Sequence, residues 1–308
     1  MPLVKKSIFL WAVNLGQKFE LNGSNGWWYT FRLKIARKLI FSKWQAALGG
    51  NIMFMCSGGA ALQVRLERLF WAAGIPVQEG YGLTETSPII AANQNSYPDV
   101  RFGTVGPVLE GVEVKIAEDG EILARGPNIM LGYYKNPELT KEVIDEDGWF
   151  HTGDIGCWED DRFLKITDRK KEIFKTSGGI YIAPQVIENI LKESPFIDQN
   201  IVIGEFKRFP SVLISPDFEF LKEYCKRKKI LFESPELVIQ NERIQQRIWK
   251  EVEKANINLD RPKKIKTSRL VADVWTPESG ELSPTLKLKR KFLKEKYKHL
   301  IQDIYSKE

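Results

Sequence analysis

The sequence predicts an α/β protein: a parallel sheet with covering helices, then a β-hairpin belonging to a barrel-like subdomain, and finally a smaller α+β domain. Three observations carry this. Apolar residues recur at helical spacing on both sides of a short apolar strand near residue 52. The apolar period switches to two after residue 112, and after residue 170 a new pattern of strands and proline-opened helices begins.

Taken in order, Lys5-Lys6-Ser7 followed by Ile8–Val13 has the order of a signal peptide, but the apolar stretch is short and lacks a small-residue cleavage site, so it reads as a helix. Leu33, Ala36, Ile40, Trp44 and Leu48 mark a second helix that Gly49-Gly50 end, before a strand over Ile52–Met55. Leu62, Leu66, Leu69, Phe70 and Ala73 mark a third, closed by Gly74, and a strand follows at Val77. Val112, Val114 and Ile116 alternate with polar residues, Asp119-Gly120 turns the chain, and Ile122–Arg125 returns as a hairpin. The domain division is placed at 1–169 and 170–308. In the second part Pro184 opens a helix carrying Ile187, Ile190 and Leu191, and Ile201–Ile203 and Val212–Ile214 read as strands. Ser234-Pro235 cap a long helix through Ile244, Ile248 and Val252.

Composition excludes several classes. A chain of 308 residues holds one large or two ordinary domains, and no apolar run reaches the roughly 20 residues of a membrane span. Cys56, Cys157 and Cys225 stand far apart and only two histidines occur, which supports neither a zinc cluster nor a disulfide framework and fits a reducing cytoplasm. The net charge of +6 is concentrated at Lys287, Lys289, Arg290, Lys291, Lys294, Lys296 and Lys298. Such a run is either a solvated helix face or a contact for a polyanion such as a nucleotide, coenzyme A or anionic lipid. Aromatic residues are not interleaved there as stacking platforms and Phe292-Leu293 reads as a helix core stripe, which argues against nucleic acid.

The most informative segment is Gly80-Tyr81-Gly82-Leu83-Thr84-Glu85-Thr86. Its glycines admit close backbone approach, its tyrosine offers a flat face for a base, and a hydroxyl beside a carboxylate suits phosphate and Mg²⁺. Taken alone it reads equally as a tight turn in a core. Three further blocks stand beside it: Ser57-Gly58-Gly59-Ala60, Trp149–Asp154, and Asp168–Gly179.

Together these four blocks, in this order and spacing, resemble the adenylate-forming (AMP-binding) enzymes: acyl- and aryl-CoA synthetases, firefly luciferase and the adenylation domains of peptide synthetases. Lys175–Gly179, the following Tyr181–Gln185 and the late Leu282–Lys287 resemble the long-chain fatty acyl-CoA ligase branch. The resemblance covers nearly the whole chain. It implies that residues 1–169 are the C-terminal portion of a large adenylation domain and residues 170–308 a small mobile C-terminal domain.

The resemblance also implies roles. Tyr81 would stack on adenine and Gly82 would border the acyl chain; Thr84 would bind the α-phosphate and Glu85 the Mg²⁺; Asp154 and Arg169 would hold the ribose. Gly58, Gly59 and Ala60 would line the adenine and acyl pockets, or simply form a strand-to-helix turn. His151 lies near the site in the family but is as readily structural. Lys171 matches the hinge about which the small domain swings, Lys287 would bridge carboxylate and α-phosphate in the first half-reaction, and Lys175 and Gly178 would serve the second, Gly178 at the coenzyme A tunnel. The implied activity is ATP-dependent conversion of a fatty carboxylate to acyl-AMP and then, with coenzyme A, to a thioester. The alternatives are an aryl- or medium-chain acid:CoA ligase, or a non-catalytic nucleotide- or coenzyme A-binding module. The implied setting is the cytoplasm, with peripheral membrane contact open.

In one respect the sequence departs from the family. The Thr/Ser/Gly-rich phosphate loop of the form T-S-G-T-T-G-x-P-K-G is absent, and Thr176-Ser177-Gly178-Gly179 lacks its Pro-Lys-Gly. An N-terminal portion is expected to be needed, and this chain alone is expected to be inactive.

Overall fold

A computed structural model describes residues 3–257 and 259–306. The chain divides into two compact units, Met1–Thr167 and Asp168–Glu308.

Unit 1 begins with helices α1 (Leu3–Gly16), α2 (Gly26–Ala36) and α3 (Ser42–Ala47), the last two joined by one wide helical turn at Arg37–Phe41. Their apolar residues Ala12, Leu15, Leu33, Ala36 and Phe41 pack with Leu69, Ala72 and Ile75 of the following segment. A βαβ unit comes next: β1 (Met55–Gly58), α4 (Val64–Ala72) and β2 (Val77–Tyr81), with β1 and β2 parallel and Gly58 opposite Gly80. The predicted strand at Ile52–Met55 therefore lies three residues too early. Pairing with β2 fixes Met55 opposite Val77, and Ile52, Met53 and Phe54 are left exposed ahead of the ladder. A two-residue strand, β3 (Ala91–Ala92), pairs antiparallel with the end of β2.

The predicted hairpin forms as β4 (Glu113–Ile116) and β5 (Glu121–Arg125), in strict antiparallel register. Helix α5 (Pro137–Val143), opened by a proline and capped by Asn136 Oδ1, leads to β6 (Phe150–Glu159) and β7 (Phe163–Arg169), completing a sheet in the order β4-β5-β6-β7. Its core side joins Ile122, Ala124 and Leu164 to Tyr81, Ile90 and Val105.

Unit 2 opens with the short pair β8 (Phe174–Lys175) and β9 (Tyr181–Ile182), then α6 (Pro184–Lys192) and a sheet of β10 (Ile197–Ile203), β11 (Ser211–Pro216) and β12 (Ser268–Leu270). Successive residues of β10 and β11 serve two different cores. Val202, Val212 and Ile214 pack with Ile187 and Leu191 of α6, Leu221 of α7 (Phe218–Lys228) and Ile244, Ile248 and Val252 of α9 (Glu242–Ile257). Ile201, Ile203 and Leu213 face Trp275, Leu282, Leu293 of α10 (Arg290–Lys296) and Ile304 of α11 (Lys298–Ser306).

Two sequence expectations change here. The helix capped by Ser234 lasts one turn, α8 (Pro235–Val238), with Ser234 Oγ accepting from Leu237 N–H at 3.3 Å. Asn241 then starts α9 afresh: its carbonyl takes Ile244 N–H and its side chain takes Arg243 N–H, while Gln245 Nε2 donates back to the Ile239 carbonyl. Phe292 is 44% exposed while Leu293 is fully buried, because adjacent helical residues point about 100° apart. The three cysteines are unpaired, and among the described residues no helix is long and apolar enough to cross a membrane.

Candidate functional site

In unit 1 the motif residues gather at the carboxyl ends of the parallel strands β1 and β2, where open α/β sheets accept ligands. Beyond β1, Gly59 takes φ +79°, a left-handed turn that suits glycine, and Gly58, Gly59 and Ala60 are exposed. Glu79 is buried within β2 and accepts the Leu62 N–H at 2.9 Å, tying the turn after β1 to β2; burial pushes its carboxyl up to about 7 against the effect of that bond.

After β2 the chain makes a tight turn at Thr84–Thr86. Buried Thr86 pins it, its Oγ1 accepting the Leu83 N–H at 2.9 Å and lying 2.9 Å from the Pro88 carbonyl. That anchoring leaves Thr84 exposed and Glu85 half-buried. Glu85 Oε1 accepts the Tyr133 hydroxyl at 2.9 Å, and the Glu85 carbonyl accepts Met130 N–H at 2.8 Å. Burial, and then this bond to Glu85, hold the Tyr133 phenol above its ordinary value. Gly82 is explained within the turn itself: a Cβ there would fall inside the Pro88 carbonyl group.

Asp154 reaches the same place from the other sheet through a bulge. The β5–β6 register shifts between Glu121 and Leu123, opposite Gly153 at φ +72°. Gly153 N–H donates to Glu121 Oε1 at 2.9 Å; Thr152 Oγ1 donates to the Ile122 carbonyl at 2.8 Å and accepts Asp154 N–H at 3.1 Å. So fixed, Asp154 Oδ2 accepts the Tyr81 hydroxyl at 2.8 Å, with both residues buried. Two motifs 73 residues apart thus meet through one hydrogen bond. His151 instead braces the strand: its Nδ1 lies 3.3 Å from Glu121 Oε2 and its Nε2 3.7 Å from Asp145 Oδ2.

In unit 2 the predicted residues are all exposed, at strand ends or on turns. Arg169 ends β7 and Lys171 follows, both exposed. Lys175 Nζ lies 4.5 Å from the Tyr181 ring centroid. Gly178 sits in a turn closed by Gly179 N–H to the Thr176 carbonyl at 2.9 Å, and a Cβ on it would meet nothing nearer than Thr176 Oγ1 at 4.0 Å. Unit 2 itself therefore places no steric demand for glycine at 178. Lys287 is exposed on a tight hairpin, its N–H donating to Ser283 Oγ at 3.0 Å and its carbonyl accepting Ser283 N–H at 2.8 Å.

Sequence reasoning passed over Tyr133 and Glu121, and named Arg290 only as one member of the basic run, not for its ion pairs with Glu172 and Glu188. None lies in a motif of glycines and hydroxyls, and each matters only through a partner distant in sequence, so no local pattern marks it.

The α/β unit with the motif residues at its strand ends, the second sheet and the small α+β unit define an adenylation-domain architecture. It is shared by the adenylation domain of a carboxylate reductase from Mycobacterium chelonae, with a TM-score of 0.68, 22% identity, and 99% of this chain and 45% of that one covered. The A domain of a carboxylic acid reductase from Segniliparus rugosus, in complex with AMP and a co-purified carboxylic acid, gives a TM-score of 0.65 at 24% identity over 84% of this chain and 40% of that one. Residues 26–134 match the AMP-binding enzyme family and residues 172–308 the AMP-binding enzyme C-terminal domain; the chain belongs to the AMP-binding enzymes. A long-chain-fatty-acid–CoA ligase of Mycobacterium tuberculosis is 39% identical over 279 residues, covering 88% of this chain and 45% of the relative. Long-chain-fatty-acid–CoA ligase 6 of Homo sapiens is 36% identical over 284 residues, covering 87% and 40%. The chain thus spans less than half the length of these curated relatives.

Proposed function

We propose that this chain forms the C-terminal portion of an ATP-dependent long-chain fatty acid:CoA ligase. The carrying observation is the Tyr81–Asp154 hydrogen bond, which joins the adenine-side and ribose-side motifs at the ends of β1 and β2. In this reading Tyr81 and the Gly58–Ala60 turn hold the adenine, Asp154 and Arg169 the ribose hydroxyls, and the exposed Thr84 hydroxyl the α-phosphate. Mg²⁺, which takes one or two carboxylates and completes its shell with phosphate and water oxygens, fits the single Glu85 carboxylate; when bound it neutralises charge on the triphosphate.

A fatty carboxylate oxygen attacks the α-phosphorus, the bond to the bridging oxygen breaks, and pyrophosphate leaves. Lys287 supplies positive charge where the oxygens gather negative charge. Unit 2 then turns at Lys171. The coenzyme A sulfur, past Gly178 and aided by Lys175, attacks the acyl carbonyl; AMP leaves, and the thiol proton passes to solvent. Support for the long-chain branch comes from the relatives' names and from the small or aliphatic run Ser87–Ala91. The unpaired cysteines suit a cytoplasmic protein, and exposed Trp27, Trp28 and Phe31 near Lys34 and Lys38 offer a peripheral membrane contact.

The test pairs two preparations. The 308-residue chain alone, lacking the T-S-G-T-T-G-x-P-K-G loop, releases no pyrophosphate above blank with ATP, Mg²⁺, coenzyme A and palmitate. Completed with the N-terminal portion of a long-chain relative it turns over, and Asp154→Ala lowers kcat/KM for ATP by about 10²-fold or more. A completed protein that prefers benzoate or hexanoate over C16 acids would replace the long-chain reading with the aryl- or medium-chain one, and unchanged ATP kinetics in Asp154→Ala would remove the site.

A further inference from the structure

Lys287 and the segment where unit 2 begins are more than a hundred residues apart in sequence, yet one side chain joins them. Arg290 Nε donates to Glu172 Oε2 at 2.7 Å, and its two terminal nitrogens grip Glu188 Oε1 and Oε2 at 2.8 and 2.6 Å. Only 16% of the Arg290 side chain is exposed, and 4% of that of Glu188. Glu172 is held in turn by Gln185 Nε2 at 2.8 Å, and Gln185 N–H donates to Asp168 Oδ2 at 2.9 Å. The junction residues 168–172, helix α6 and the start of α10 are thereby one hydrogen-bonded body.

Little slack separates Arg290 from Lys287. Besides the two Ser283–Lys287 bonds, Lys289 N–H donates to the Glu281 carbonyl at 2.8 Å, and Leu286 N–H to the Ser283 carbonyl at 2.8 Å. Leu286 sits at φ +59°, a conformation that costs a leucine about 1 kcal/mol and persists where the surroundings enforce it.

We propose that Arg290 is a positioning residue that locks the Lys287 hairpin to Glu172 and helix α6, both on the C-terminal side of Lys171, so that when a turn at Lys171 releases the Gln185–Asp168 bond Lys287 moves with α6 as a rigid attachment. The task of Lys287 rests on the function proposed above. The chemistry of the lock demands arginine: a planar fork can engage Glu188 with two donors and Glu172 with a third, which an ammonium group cannot do in that geometry.

Removing Arg290 outright would strand the buried Glu188 carboxylate, so the informative variant is Glu172→Gln, with Arg290→Lys and the double variant closing a cycle. In the 308-residue chain, Glu172→Gln speeds amide exchange about 10-fold in residues 168–172 and 283–288 together, with β10 and β11 unchanged. In the chain completed by a relative's N-terminal portion, it slows pyrophosphate release about 10-fold or more, as a displaced catalytic group does, while thioester formation from preformed acyl-AMP stays within about 2-fold. Arg290→Lys does the same, the double variant adds little, and Lys294→Ala on the neighbouring surface changes neither rate. Faster exchange confined to the junction would overturn the lock. So would equal losses in both half-reactions with a lowered melting temperature, the mark of a merely structural role. If the unaltered completed protein made no acyl-AMP, the proposed function would fail, and the exchange result would still decide whether the lock exists.

Discussion

All six residues of β11 are buried, whereas three of the four residues of β1 are exposed, although each strand runs parallel to a neighbour, β11 to β12 and β1 to β2. Parallel strands are ordinarily covered on both faces. Unit 2 meets that standard with helices on either side of β10 and β11. In unit 1, Met55 and the preceding Ile52, Met53 and Phe54 lie open, as do Trp27, Trp28, Phe31 and Ile35 along α2 and Leu39 in the wide turn after it. Contiguous apolar surface of this kind marks a place for further packing. Unit 2 is built to stand by itself; unit 1 is built to be covered.

The sharpest way to break that contrast is to separate the units. Residues 168–308 expressed alone remain monomeric and unfold cooperatively, while residues 1–167 alone self-associate or bind a hydrophobic dye, as gel filtration and fluorescence report. A monomeric, dye-silent unit 1 would contradict the reading. Next in size, Ile214→Ala, emptying a fully buried site between β11 and its helices, costs about 2–5 kcal/mol in denaturant titration.

A pH effect of at most about 5 kcal/mol separates the units differently. Glu67 is fully buried in α4, with Oε2 accepting Gly103 N–H at 3.0 Å and Oε1 without a hydrogen-bond partner, and burial raises its carboxyl to about 8. Because the folded value lies above the ordinary carboxylate value, the contribution is fully present below about pH 4.5 and is lost as pH rises to about 8. Unit 1 is thus expected to weaken across that window, and Glu67→Gln to reduce the slope while leaving the part due to Glu79; an unaltered slope would refute it. Smallest of all, Met53→Ala costs under about 1 kcal/mol, because that residue is 77% exposed and little surface is buried there to lose.

Much of this was legible in the sequence. Alternation at Val112, Val114 and Ile116 around Asp119-Gly120 marked the hairpin, and proline at 184 marked the start of α6. The motif blocks marked the family to which the chain belongs. What escaped depends on pairing over distance. The start of β1 is set by the register with Val77, not by where apolar residues begin. The break between α8 and α9 comes from Asn241, a polar residue whose side chain competes for backbone hydrogen. Of the groups that brace the motif residues, Thr86 lies within the Gly80–Thr86 block itself, whereas Glu121 and Tyr133 carry no signature of their own.

Gly82 shows what such hidden constraints mean for anyone redesigning the pocket. It lies where acyl specificity is expected to be tuned, yet its missing side chain is already spoken for by the Pro88 backbone. Position 82 cannot serve as a dial: even alanine would collide with the Pro88 carbonyl and unseat the Thr84–Glu85 turn, so a substitution there tests the turn and not the size of any ligand beside it.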